Sequence, residues 1–457
     1  MERRYELRLA EMLAQAEVSP DLTRGLLERL DSFVGPFANS LPGAAQRRRA
    51  VEYLTGLLSK LERKNGEAIA YLLDQNRQGL QTFVADAPWD HAPSIATLAT
   101  QVDADLGEPG AVLVFDPSAF PKKGAKSVGV ARQWCGRLGK VDNCQVGVFM
   151  AYVSKKGHAP VDTRLYLPNE WTKDRARLKE AGVPKGTKFR TRHRLALEML
   201  DECGGALRHG WLAGDDEMGR SSGFRRELQG RNERYLLAVP SNTLVRDLDE
   251  PPPEYAGRGR RPMSPFRRLD RWRGALPEEA WARIDVRDGE KGPLVIEVVK
   301  RRVQARTETG GTAPEELLFV TRELQADGTS KHDYYFSNAD PKTPPADLAW
   351  VAKAAHRVEE CLENAKGEAG LADYQVRTWT AWHRHQTLSL LAAWFLNQET
   401  RRKKNPDPGP DEAATASVDC GDDRGSPQGE HRREAMPSGH ALAATNRTSE
   451  ALSLQGT

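Results

Sequence analysis

The chain is poor in the features of a disulfide-stapled, metal-knuckle or membrane protein. Five of its 457 residues are cysteine. The number is odd and none form a Cys-x-x-Cys pair, which argues against a disulfide framework and a zinc knuckle. Cys135 and Cys144 read most simply as packing residues in a reducing compartment. No apolar run approaches the roughly 18 residues of a membrane span, and the opening Met-Glu-Arg-Arg-Tyr carries no apolar signal segment. The expected setting is therefore cytoplasmic, with no membrane partner. No internal repeat is evident. Net charge is also scarce: 29% of residues are charged, yet the formal balance is only +3, which alone indicates nothing about nucleic acid.

What is present is charge in clusters. Basic residues gather at Arg47-Arg48-Arg49, at Lys122-Lys123 with Lys126, at 258–261, at Arg267-Arg268 with Arg271, at Lys300-Arg301-Arg302 and at 401–404. Each alone reads as a solvated face; together they suit a polyanionic partner. The length predicts two or three domains. Residues 1–105 read as helical: an amphipathic stretch begins with Leu7, Leu9, Met12 and Leu13, and Val51, Tyr53, Leu54, Leu57, Leu58 and Leu61 show helical spacing. From residue 111 the pattern changes to strands at 111–115, 145–153 and 161–167. A helix over 190–203 follows, then a short strand into Asp215, a helix at about 219–230 and a strand at 234–240.

Three antiparallel strands followed by helix–strand alternation predict an α/β fold with an RNase H-like core. The expected organisation is an all-helical N-terminal domain at 1–105, the first part of the core at 106–241, a β-rich insertion at 242–345, core helices at 346–400 and a disordered, apolar-poor tail at 401–457. Within this plan three acids stand out. Asp116 closes the apolar run Ala111–Phe115, Asp215 follows Gly210–Gly214, and Glu359 lies in a helical stretch with Lys366 seven residues on. Two strand-end aspartates and one helical glutamate are what such a core needs to hold two divalent ions about 3.5–4 Å apart. Spacing alone leaves plainer roles open: a turn or cap for each aspartate, a solvated helix face for Glu359, and an i, i+3 partner of Glu363 for Lys366.

The words around the acids resemble a known family. Val114-Phe115-Asp116-Pro117-Ser118-Ala119-Phe120-Pro121-Lys122-Lys123-Gly124, then Ser127 to Gly136, Leu138 to Gln145, Arg164 to Pro168, Trp211 to Gly219, Arg357 to Glu368, Tyr374 to Arg377 and Trp382-His383-Arg384-His385 are similar to the IS701-like DDE transposases of bacterial insertion sequences. The resemblance spans roughly residues 40–400. It implies Asp116, Asp215 and Glu359 as catalytic metal ligands for two Mg²⁺ ions, with Mn²⁺ as a substitute, and double-stranded DNA (transposon ends and target) as partner, held by a homodimer in a synaptic complex near the nucleoid. It further implies phosphate contacts at Lys366, Lys122, Lys123 and Lys126, and DNA binding by the N-terminal helical domain, with Arg63 and Lys64 as readers of the transposon end. Arg357, His383 and His385 are further backbone contacts; the two histidines, two apart on a helix, diverge and do not suit a metal pair. Trp272 and Trp281 are candidates to stack on a flipped base, or else core. Two departures stand against the family pattern: Pro117 where a second acid is usual, and Ala352 and Ala355 where the wider group has Tyr and Arg. They keep alive a catalytically silent DNA-binding protein, or a nuclease without strand transfer.

Overall fold

The computed structural model describes residues 25–404 except 260, 290, 291 and 326. The stretch from Leu7 to Leu13 and the tail from residue 405 lie outside the described residues. The first described elements are five helices: α1 (Leu26–Val34), α2 (Ala44–Leu57), α3 (Gly66–Leu72), α4 (Arg77–Ala85) and α5 (Ala92–Leu106). Local chemistry starts them. Asn65 accepts from the N–H groups of Glu67 and Ala68, Asn76 accepts from Gln78, and Pro93 occupies the first turn of α5. Their apolar stripes, among them Leu54, Leu57, Ile69, Leu80 and Leu98, are fully buried in the same core that holds the strands.

The strands open with β1 (Val112–Pro121), β2 (Ala131–Cys135), β3 (Lys140–Ser154) and β4 (Gly157–Tyr166). β1 and β4 pair antiparallel with β3. Short helices α6 (Asn169–Lys173) and α7 (Arg175–Glu180) lead to α8 (Arg192–Cys203), β5 (Trp211–Gly214), α9 (Asp216–Arg220), α10 (Ser222–Gly230) and β6 (Tyr235–Ala238). β5 joins β1 in parallel and β6 joins β5 in parallel. The resulting order is β4–β3–β1–β5–β6. The helix expected at 219–230 is two, broken at Ser221, whose hydroxyl caps α10 at Phe224.

The insertion supplies β7 (Leu244–Asp247), β8 (Arg267–Arg268), α11 (Leu269–Gly274), β9 (Ala282–Gly289), β10 (Gly292–Arg306), β11 (Thr312–Leu324) and β12 (Ser330–Ser337). β12 pairs antiparallel with β6, so the insertion extends the core sheet into one mixed sheet of twelve strands among the described residues. Along β11, Leu317 and Phe319 face the main core while Leu318 and Val320 face a second cluster around Trp272 and Val303. Burial on both faces explains why these strands read as continuous apolar runs.

Two long helices finish the described chain, α12 (Pro345–Glu368) and α13 (Trp379–Lys404). α13 is buried nearly all round from Ala381 to Ala392, the position of a central helix. It lies against α2, α4 and β4, and Glu399 near its end accepts two bonds from Arg29 of α1 at 2.8 Å each. No described helix is long and apolar enough to cross a membrane.

Candidate functional site

The register of β1 and β5 places the two aspartates. Phe115 is paired with Gly214, so the next residues, Asp116 and Asp215, stand side by side where β5 stops. β1 itself does not stop: it runs on to Pro121 against β3. This corrects the expectation of a strand end at Asp116. Past Asp116 one side of β1 has lost its partner, which is where a residue without an N–H, Pro117, is tolerated. Asp215 is the N-cap of α9, its Oδ1 accepting from Met218 N at 3.0 Å. Gly214 is tight here, since a Cβ would lie 2.9 Å from that of Met218.

α12 crosses opposite. Glu359 and Lys366, nearly two turns apart, line one cleft of about 1260 Å³ together with Asp116 and Asp215. The cleft unites residues up to 250 positions apart in the chain. Its electrostatics are those of crowded acids. Burial, then the charge of Asp215, pushes the Asp116 carboxyl up to about 7 against the pull of Lys366. Burial pushes Asp215 up to about 6 although the Met218 N–H draws it down. Burial lowers the Lys366 ammonium while Asp116 holds it up.

The donor set suits hard divalent cations. Mg²⁺ takes few protein carboxylates and keeps several waters, and a cation beside Asp116 and Asp215 would favour the charged carboxylates that burial disfavours. The carboxylates share a cleft rather than a closed cage: among the described residues no group of three or more His, Cys, Asp or Glu side chains is drawn together tightly enough to hold an ion.

Other expected phosphate contacts are placed differently. Lys64 is buried, its Nζ donating to the carbonyls of Gly367 and Glu368 at 3.1 and 2.7 Å; it caps the C-terminal end of α12 and does not line the acid cleft. His385 is fully buried, Nδ1 meeting Tyr53 Oη at 2.9 Å and Nε2 the Gly370 carbonyl at 3.1 Å. Since that carbonyl can only accept, Nε2 carries the proton and Nδ1 accepts from the tyrosine. His383 is buried too and bonds Trp379 O. Burial drives His385 down to about 3 and His383 well below its ordinary value, so both are neutral structural groups. Lys122 turns inward: Nζ donates to Tyr374 O at 3.0 Å, and burial pushes it down to about 8.

Arg357 lines a different cleft, with Lys155, Lys156 and Arg401, because two positions from Glu359 lies on another helix face. Lys123, Lys126 and Arg63 stay exposed, with Lys126 bound to Glu180 at 2.8 Å. Ala352 is buried in the core and Ala355 packs against it. Trp272 is buried and donates to Asp247 at 2.9 Å; Trp281 lies under the guanidinium of Arg322.

Several cleft residues escaped the sequence reading. Glu217 accepts both of its bonds from Arg192, at 2.9 and 2.6 Å, which ties α9 to α8. Glu308, on the β10–β11 turn, accepts from the N–H and hydroxyl of Ser222 at 2.7 Å each, so the insertion reaches back to the rim. Trp134 and Arg137 form another wall. The Asp215-Asp216-Glu217 run was the one available signal, and it pointed only to Asp215.

A family model described as DDE superfamily endonuclease matches residues 36–293, more than half of the chain; the match takes in Asp116 and Asp215 and stops short of Glu359. The chain is 30% identical over 207 residues to the probable transposase for insertion sequence element IS701 of Microchaete diplosiphon, covering 44% of this chain and 50% of that protein. It thus spans about half the length of the curated relative it matches. Among solved structures, the cryo-EM piggyBac transposase synaptic complex with hairpin DNA aligns with a TM-score of 0.38 at 10% identity, over 82% of this chain and 71% of that one. The NurA nuclease of Sulfolobus solfataricus aligns at 0.23 and 9%, over 66% and 88%. At those scores neither carries an argument.

Proposed function

The chain belongs to the DDE superfamily endonucleases, and on that premise we propose that it is the transposase of an insertion sequence, which binds the terminal inverted repeats, cuts the DNA at the ends and joins the freed 3′-hydroxyl to target DNA. The single observation that carries this reading is the convergence of Asp116, Asp215, Glu359 and Lys366 on one cleft. The strand order β4–β3–β1–β5–β6, antiparallel then parallel, supports an RNase H-like core beneath them.

In this reading Asp116 and Asp215 would hold divalent cations, Mg²⁺ by choice of donor, and Glu359 would complete the set from α12. The ions would supply Lewis-acid activation of the attacking oxygen and charge neutralisation at the leaving one. The chain's own part is positioning. The cap at Met218 fixes one Asp215 oxygen, the Arg192–Glu217 pair fixes α9, and Lys366 offers a point charge to a phosphate oxygen. Lys123, Lys126 and Arg63 remain available to DNA backbone. A homodimer would pair the two ends.

The test is incubation of the purified protein and Mg²⁺ with labelled DNA carrying the element end, beside Asp215→Ala. Mg²⁺-dependent cutting at the end, lost in the variant, is the expected result. Ala352 and Ala355, packed where the wider group has Tyr and Arg, favour one rival: a silent DNA-binding protein. Specific binding without cutting by either protein would establish that rival.

A further inference from the structure

Beside the acid cleft stands a hairpin whose outer face packing does not explain. β2 and the start of β3 pair so that Trp134 sits opposite Val141 and Arg132 opposite Asn143. Cys135 and Cys144 are buried beneath. On the outside Trp134 is 57% exposed, Val141 53% and Leu138 43%. Single exposed apolar residues are ordinary. Three on one short hairpin, one of them a tryptophan that walls the same cleft as Asp116, Asp215 and Glu359, are not.

The charges around this patch are basic. Arg132, Arg137 and Lys140 are exposed, and Arg137 lies near enough to Lys366 and Asp373 to shift their charge balance. The hairpin's own carboxylate, Asp142, is engaged by Lys140 at 3.1 Å. The two tryptophans of the insertion are occupied, one in the core and one beneath Arg322.

We propose that Trp134 is a stacking platform for an unpaired base of the DNA strand held over Asp116 and Asp215, with Arg132 and Arg137 taking the flanking phosphates. The inference rests on the reading of the cleft as a DNA-cutting site and adds the form of DNA it grips. An indole face stacks on any base without reading sequence, and neighbouring cations track the backbone. A base inside a duplex offers no free face, so the hairpin selects DNA that is frayed at the cut. The exposed Arg132 and Arg137 beside the tryptophan argue for a polyanion over a second copy of the chain as occupant.

The experiment uses the full chain with Ca²⁺ in place of Mg²⁺. The probes are a fluorescein-labelled blunt duplex and the same duplex with a short unpaired end carrying 2-aminopurine. The forked duplex should bind about tenfold more tightly, with its 2-aminopurine emission quenched. Trp134→Ala should lose both effects while melting like wild type, and Trp134→Phe should keep both. Equal preference and quenching in Trp134→Ala would overturn the proposal. So would a wild-type dimer that Trp134→Ala splits with the DNA preference unchanged, since a second copy would then cover the patch. If wild type binds neither probe in Ca²⁺ and cuts no DNA in the Mg²⁺ assay, the reading of the cleft falls as well; if it cuts in Mg²⁺ but its binding in Ca²⁺ is blind to Trp134, only the stacking platform falls.

Discussion

Replacing Glu316 by Gln is the sharpest perturbation of how the site is held. Arg225 on α10 gives Nε and Nη2 to Glu316 on β11 at 2.7 and 3.0 Å, and Nη1 to the carbonyl of Gly219 at the end of α9. Tyr235 of β6 donates to the same carboxylate at 2.7 Å. The side chains are 4% and 7% exposed, so water cannot replace a lost partner. Removing one charge of such a pair costs about 3–5 kcal/mol, because the other stays buried and unpaired. A shift of that size should appear in urea unfolding as a lower midpoint at unchanged slope. Arg225→Met with Glu316→Leu and Tyr235→Phe removes the charged pair and the tyrosine hydroxyl together and should recover much of the loss, short of what the Gly219 carbonyl loses with its donor. Because Arg225 also steadies the turn that Asp215 begins, Glu316→Gln should reduce DNA cutting even under conditions where it stays folded. A loss below about 1 kcal/mol, the scale of an exposed pair, would refute the reasoning.

Asp116→Asn should stabilise the protein in EDTA. The wild-type carboxyl sits near 7 when folded, above its unfolded value, so wild-type stability falls as pH rises from about 4 to 7 and stays lower above that range. The ceiling is about 4 kcal/mol from three pKa units, reduced to roughly 1–2 by water in the cleft. Melting at pH 8 should show the gain, shrinking toward pH 5, and Mg²⁺ should raise the melting point of wild type but not of the variant; equal stabilisation of both would count against the metal ligands. Lys64→Met should cost about 1–3 kcal/mol by freeing two carbonyls at the end of α12, with DNA affinity measured by anisotropy unchanged; weakened DNA binding in a folded variant would restore Lys64 as a contact.

The acids were legible because each lies next to an element whose period shows in the sequence: the apolar runs of β1 and β5 and the helical spacing of α12. What stayed hidden depends on partners far along the chain. His383 and His385 were expected at the DNA backbone, and nothing local in Trp382-His383-Arg384-His385 marks it as buried. Arg384 instead donates to carbonyls of Val84, Ala87 and Trp89, and Gln386 to that of Leu371, so a polar stretch passes through the core with most of its bonds met, Arg384 Nε and Gln386 Oε1 having no partner among the described residues. β2 was missed because five residues, two of them charged or amide and one an exposed tryptophan, give no alternation to read. The insertion strands were seen only at their apolar centres. Their ends pair through polar positions, such as Gln304 with Glu315, which carry no strand signal.

One feature of the fold bears on timing. The early helices rest on α13, the last described element, and the cleft is closed by α12, just before it. During synthesis the two aspartates therefore emerge long before Glu359 and Lys366, and α2 and α4 wait for the helix they pack on. The four side chains of the cleft come together only once α12 has been made, by the order of translation itself.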